Sequence, residues 1–129
     1  MKILLDTCAI IWAITQPEKL SEKGTKALTN KQTVVYFSPI SAGEIACLSE
    51  RGRVEFDRHW KTWFNHFIET GGWNCLDISL DIIQEAYSLP GIFHQDPADR
   101  IIVATARYHN LTVVTGDKKI LDYPHVKTI

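Results

Sequence analysis

Lys2-Ile3-Leu4-Leu5-Asp6-Thr7 begins with an apolar run and ends it on an acid. The run reads as a buried strand from Lys2 to Leu5, and Thr7 to about Ile14 reads as the helix that follows it, ending before Pro17. Near the other end of the chain, Thr112-Val113-Val114-Thr115-Gly116-Asp117 repeats the arrangement: a β-branched run, a turn and an acid. Between the two, strand and helix patterns alternate. Strands separated by helices need crossover connections, which predicts a mostly parallel α/β sheet with helices on both faces.

The intervening segments fill in that plan. Ser21 is an N-cap candidate for a short helix ending near Thr29, and Val34 to Phe37 reads as the second strand. Ser38-Pro39 breaks it, and the next helix is expected from Ala42 to about Glu50. Phe56 to Ile68 is the most amphipathic stretch, with Phe56, Trp60, Trp63, Phe64 and Phe67 on one helical face. Gly71-Gly72 stops it. A short strand from Cys75 to Ile78 and a helix from Leu80 to Leu89 follow, closed by Pro90-Gly91. A helix from Pro97 to Tyr108, the strand Thr112 to Thr115, a short helix to Leu121 and a last strand from Val126 to Ile129 complete the chain. The loop from Gly91 to Asp96 is expected to be irregular and mobile.

In right-handed βαβ units, strand ends and the starts of the following helices meet at one edge of the sheet, where open α/β sheets bind ligands. Asp6 and Asp117 follow strands; Glu44 and Asp99 sit early in helices. All four acids therefore converge in this topology. Each has a purely structural alternative. Ser41-Ala42-Gly43-Glu44 has the form of a capping box, Asp96-Pro97-Ala98-Asp99 that of an N-cap with proline at the first helical position, and Asp117 can cap the last short helix. An acid directly after a buried strand, as Asp6 is, is costly without a partner.

Gathered carboxylates repel. Two like charges 4 Å apart cost on the order of 4 kcal/mol at an effective dielectric of about 20. A hard divalent cation, Mg²⁺ or Mn²⁺, relieves that repulsion with oxygen ligands alone, and no Cys or His is needed. Such an ion activates water and stabilises charge on a leaving oxygen, which suits phosphodiester hydrolysis. No Gly-rich nucleotide loop and no Ser-His-Asp arrangement competes with this reading.

Composition sets the frame. At 129 residues, 45% hydrophobic and 22% charged, the chain suits one globular domain. A net charge of -1 gives no bulk attraction to polyanions or membranes, so any polyanion contact must come from a local basic surface. Cys8, Cys47 and Cys75 form no C-x-x-C pair, which points to a reducing, cytoplasmic setting. The first apolar run is too short for a signal peptide, and no stretch of roughly 20 apolar residues exists, so no membrane partner is expected.

With these residues on the page, the chain resembles the PIN-domain ribonucleases, and more narrowly the VapC-type toxins of toxin–antitoxin pairs. The segments that carry the resemblance are Leu4-Leu5-Asp6-Thr7, Ser41-Ala42-Gly43-Glu44-Ile45, Asp96-Pro97-Ala98-Asp99-Arg100 with Ile101 to Ala106, and Val114-Thr115-Gly116-Asp117. They occur in order and span essentially the whole chain. The resemblance implies a three-layer α/β/α sandwich, a single PIN-like domain over residues 1–129, and Mg²⁺- or Mn²⁺-dependent cleavage of single-stranded or loop RNA. Carried over by position, it makes Asp6 and Asp99 direct metal ligands and Asp117 a ligand directly or through water. Glu44 holds a metal-bound water or acts as base, and the Thr115 hydroxyl supports the site. Asp96 is the alternative to Asp99. It also implies a homodimer and a small cognate antitoxin lying in the groove.

Arg100, Lys118 and Lys119 flank these acids and are candidate contacts for RNA phosphates. Arg51, Arg53, Arg58 and Lys61 form a second basic region, and His94 is a candidate substrate contact. Part of the aromatic face from Phe56 to Phe67, or Ile11 and Trp12, is expected to lie exposed for a partner. Cys8 reads as a small buried hydrophobe. Two competing functions remain at this point. An aspartate-based phosphatase or phospho-acceptor also places an acid after the first strand, but it calls for a second Asp at position 8, where Cys stands. A non-catalytic PIN-like binding module would keep the fold without the chemistry.

Overall fold

Five short strands and seven α-helices make up the fold in the computed structural model, which describes residues 1–129. The order is β1 (Lys2–Leu5), α1 (Thr7–Thr15), a 3-10 turn (Pro17–Lys19), α2 (Glu22–Thr29), β2 (Val34–Phe37), α3 (Pro39–Glu50), α4 (Trp60–Gly71), β3 (Asn74–Cys75), α5 (Leu80–Ala86), α6 (Pro97–His109), β4 (Thr112–Val114), α7 (Lys118–Leu121) and β5 (Lys127–Thr128). The strands lie in the order β3-β2-β1-β4-β5, and every pairing is parallel. The opening strand is thus the central one. Ile3, Leu4 and Leu5 are fully buried, which is why a near-continuous apolar run forms it.

Alternation along the strands divides the core into two layers of packing. Ile3, Leu5, Val35, Phe37 and Val114 face α1, α2, α3 and α4 through Ala9, Ile10, Ala27, Ile45, Trp63 and Phe64. Leu4 and Val113 face the other way, onto Ile102, Val103 and Ala106 of α6. Helix α5 packs against the far side of α6 through Ile82, Ala86, Ile101 and Ala104. The expected three-layer α/β/α sandwich is the observed one.

Several local expectations are corrected. Helix α3 starts three residues early, because Ser38 caps it through the Ile40 N–H and Pro39 occupies the first turn, where its missing N–H is harmless. Ser41 and Glu44 therefore form no capping box; Ser41 is buried within the helix. Strand β3 pairs over only two residues at the sheet edge, and α5 ends at Ala86. Helix α4 begins at Trp60, with Phe56 folded back from the preceding segment to stack on Trp63 at 4.0 Å. Its aromatic face looks inward: Trp63 and Phe64 are buried, and Phe56, Trp60 and Phe67 pack against the same core. The exposed large apolar residues are elsewhere, among them Leu80 and Ile83 on α5, Tyr87 at its C-cap, Tyr108 on α6 and Ile92.

Candidate active site

With β2 on one side of β1 and β4 on the other, the chain order reverses at β1. Open parallel sheets form a crevice at such a reversal, beyond the carboxyl ends of the strands. Asp6 sits at its floor, 3% exposed. Its Oδ1 accepts from the Ala9 N–H at 2.8 Å, so it caps α1, and its Oδ2 accepts from the Thr115 hydroxyl in a very short contact. Thr115 Oγ1 in turn accepts from the Asp117 N–H at 2.9 Å. One hydroxyl thus couples the end of β1 to the turn after β4.

Glu44, in the second turn of α3, accepts from the Thr7 hydroxyl, and Thr7 Oγ1 lies 3.0 Å from Ser41 Oγ. No sequence pattern singles out Thr7 beyond its place beside Asp6; the α1–α3 contact gives it a role. Asp96 caps α6 through the Asp99 N–H at 3.1 Å, which leaves Asp99 in the first turn, half-buried. His94 Nε2 lies 2.9 Å from Asp99 Oδ2 and has no other hydrogen-bond partner. Asp117 caps α7 by accepting from the Lys119 N–H at 2.9 Å. Capping thus engages Asp6, Asp96 and Asp117, while Asp99 and Glu44 cap nothing.

The electrostatics register how close these acids are. Burial raises the Asp6 carboxyl from 3.8 to about 6; the Thr115 and Ala9 hydrogen bonds pull it down, and Asp117 and Glu44 push it up. Burial also raises Asp99 to about 7, with Asp96, Asp117, Glu44 and Asp6 all adding repulsion. Glu44 is raised by burial against the lowering by Thr7, with Asp96 and Asp117 contributing. Cys8 is partly exposed beside them rather than a buried hydrophobe. Partial burial and then Asp6, Glu44, Asp117 and Asp99 push its thiol up to about 11, far from a reactive thiolate.

As they stand, no three of these side chains converge on a single point that could hold an ion. The donor set still fits a hard divalent ion: oxygens only, desolvated, and already destabilised by one another.

The basic residues divide. Lys118 and Lys119 are exposed at the crevice rim. Arg100 is not available there: its Nε, Nη1 and Nη2 donate to the backbone carbonyls of His94, Ala86 and Phe93 at 3.0, 2.9 and 3.0 Å. The sequence placed Arg100 as a phosphate contact; the structure places it as the clamp that ties the 90–95 loop and the end of α5 to α6. Replacing it with Lys, which lacks the planar fork, is expected to cost about 2 kcal/mol of stability, read by urea denaturation. Arg51 and Arg53 are exposed and form no ion pair, and Arg58 is paired with Asp57 at 3.1 Å. Trp12 is half-buried because its ring lies where a Cβ on Gly116 would sit, 2.4 Å away, so the turn before Asp117 requires glycine.

An all-parallel α/β sheet with a desolvated acidic crevice at its carboxyl edge defines a class of protein suited to a divalent cation. The PIN-domain family model matches residues 3–126, and the chain belongs to that family. It is similar to ribonuclease VapC22 of Mycobacterium tuberculosis, 28% identical over 127 residues that cover 98% of this chain and 95% of the relative. Its fold is similar to that of VapBC2 from Rickettsia felis, solved on a DNA fragment of its promoter (TM-score 0.73, 17% identity, covering 100% of this chain and 98% of the other). It is also similar to a toxin–antitoxin complex from Klebsiella pneumoniae (TM-score 0.63, 24% identity, covering 96% and 94%).

Asp96 and Asp99 can be separated experimentally. Asp96→Ala is expected to lose about 1 kcal/mol, the usual value of an N-cap, and to keep metal binding within about threefold. Asp99→Ala is expected to abolish detectable metal binding. Thermal melts and calorimetric titration of each variant with Mn²⁺ decide between them.

Proposed function

We propose that this chain is a Mg²⁺- or Mn²⁺-dependent endoribonuclease that cleaves single-stranded or loop RNA as the toxin of a toxin–antitoxin pair. The observation that carries the reading is the convergence of Asp6, Glu44, Asp99 and Asp117 on one edge, with three of the four carboxyls pushed upward by burial and by the others. Asp6 and Asp99 would hold the cation and Asp117 would support it; the ion supplies charge neutralisation and a lowered pKa for attacking water. Glu44, held by Thr7 and with its carboxyl raised by burial, would serve as the general base. Thr115 keeps Asp6 and the Asp117 turn in register. Lys118 and Lys119 are free to meet RNA phosphates.

The similar ribonuclease supports the substrate class, and the toxin–antitoxin assemblies among similar structures support a small antitoxin partner. Leu80 and Ile83 on α5 and Tyr87 at its C-cap, exposed at spacings of three and four, offer an apolar stripe for a homodimer. No helix is long and apolar enough to cross a membrane, and a cytoplasmic site of action suits an RNA substrate. A phospho-acceptor role fits less well. Cys8 takes the place of the second acid such enzymes need. Incubating an RNA pool with the protein in Mg²⁺, in Mn²⁺ and in EDTA tests the proposal: defined cuts in either metal and none in EDTA are expected. Equal cutting in EDTA would sink it, and no cutting in any condition would leave the binding module.

A further inference from the structure

Beside the acids lies a cleft of about 270 Å³ lined by Ile92, Phe93, His94, Lys119, Asp122 and Tyr123. It adjoins the crevice on two sides. His94, which forms one wall, touches Asp99 at 2.9 Å; Lys119, on another, has its backbone N–H on Asp117 at 2.9 Å. A strand whose scissile phosphate lies at the acids would therefore bring the neighbouring base to this cleft.

The walls are already held in place. Arg100 fixes the carbonyls of Phe93 and His94, and the Tyr123 hydroxyl donates to the Pro90 carbonyl. Phe93 and Tyr123, with ring centroids 4.8 Å apart, make a buried apolar floor. The loop expected to be mobile, Gly91 to Asp96, is thus tied down at Phe93 and His94, and Pro90 just before it is held by Tyr123. Above this floor sit features that folding does not explain. Ile92 is 97% exposed, an apolar side chain left in water at the rim of a polar site. Asp122 and Lys119 line the cleft, and the side chain of neither takes part in an ion pair or a hydrogen bond.

We propose that this cleft is a subsite for one nucleobase next to the scissile phosphate, and that Asp122 selects for guanine. The inference rests on the RNA-cleaving reading above. At about 270 Å³ the cleft is smaller than the roughly 300–1,000 Å³ that encloses a drug-sized ligand, which suits a single ring system. Ile92 covers one face of the base, as apolar and aromatic surfaces do in single-strand recognition. A carboxylate is acceptor-only and has two oxygens, so it matches the adjacent N1–H and N2–H donors of guanine. Uracil presents one such donor flanked by two carbonyl oxygens, which a carboxylate repels. Lys119 is placed to meet the phosphate that follows.

The test is fluorescence anisotropy of the full chain in EDTA, at low salt, with labelled pentanucleotides differing only in the central base. The guanine oligomer is expected to bind about tenfold tighter than the uracil one, the size of one good base contact. Asp122→Asn should bring that ratio to about one, and Ile92→Ala should weaken all four oligomers about threefold or more. Both residues are exposed, and unchanged melting temperatures would show that the variants fold. Equal binding of all four oligomers by the parent chain, no measurable binding, or an unchanged ratio in Asp122→Asn each overturns the subsite. Cut-site sequencing in Mg²⁺ separates the two proposals. Base discrimination without cleavage removes the nuclease and keeps the subsite; cleavage with no base preference, unaltered in Asp122→Asn, does the reverse.

Discussion

Asp6→Asn is expected to lower metal-dependent RNA cleavage by about a thousandfold or more, while making the metal-free protein more stable at pH 7. The two effects have one cause. Asp6 is nearly buried, and its carboxyl sits at about 6 instead of 3.8 because burial and neighbouring acids disfavour its charge. At about 1.4 kcal/mol per unit, ionised Asp6 costs the folded chain about 3 kcal/mol. Asparagine removes that charge, still caps α1 through the Ala9 N–H, and can donate its amide to Thr115 Oγ1. It is a far poorer ligand for a hard cation, and losing about 4 kcal/mol of transition-state stabilisation is a thousandfold in rate. The measurement is a paired one: cleavage rate and urea denaturation on the same two proteins. A variant that is both inactive and less stable would mean that Asp6 serves the fold more than the site.

The metal-free chain is expected to lose stability as pH rises, by about 3 kcal/mol or more between pH 4 and pH 7.5. Asp6 and Asp99 both hold protons more tightly when folded, at about 6 and about 7 against 3.8. Between those values the native state carries more protons than the unfolded one, so the slope of stability with pH is negative. Their contribution is full below about pH 4 and is lost as pH passes through about 6 to 7. Most paired carboxylates act in the opposite direction. Saturating Mg²⁺ or Mn²⁺ should flatten the dependence by stabilising the charged forms. Denaturation curves at pH 5 and pH 7.5, in EDTA and in metal, check this. Greater stability at pH 7.5 than at pH 5 in EDTA would show that the acids are not crowded.

How much of this the sequence held depends on how local each signal is. The strand Lys2–Leu5 and the acid after it were legible because burial on both sheet faces leaves a near-continuous apolar run. The caps at Ser21 and Asp96 were legible because their partners lie three residues away. At the start of α3 two local signals competed, Ser38-Pro39 and the box-like Ser41 to Glu44, and the proline decided. That outcome freed Glu44 from its bland explanation. Arg100 was misread because its three acceptors lie 6 to 14 residues back along an irregular path, which no periodicity records. The aromatic face of α4 was misread for a related reason. Periodicity shows that a face exists, and only packing shows what covers it.

The most direct test of the central claim, that these acids form one divalent-cation site, is calorimetric titration of Mn²⁺ into the metal-free chain at pH 7 in buffers of different ionisation enthalpy. Saturable binding with proton release is predicted, since Asp99 at about 7 and Asp6 at about 6 still hold part of their protons there. Both the binding and the release should be lost in Asp6→Asn and in Asp99→Asn. Absent binding, or binding that survives both substitutions unchanged, would contradict the site.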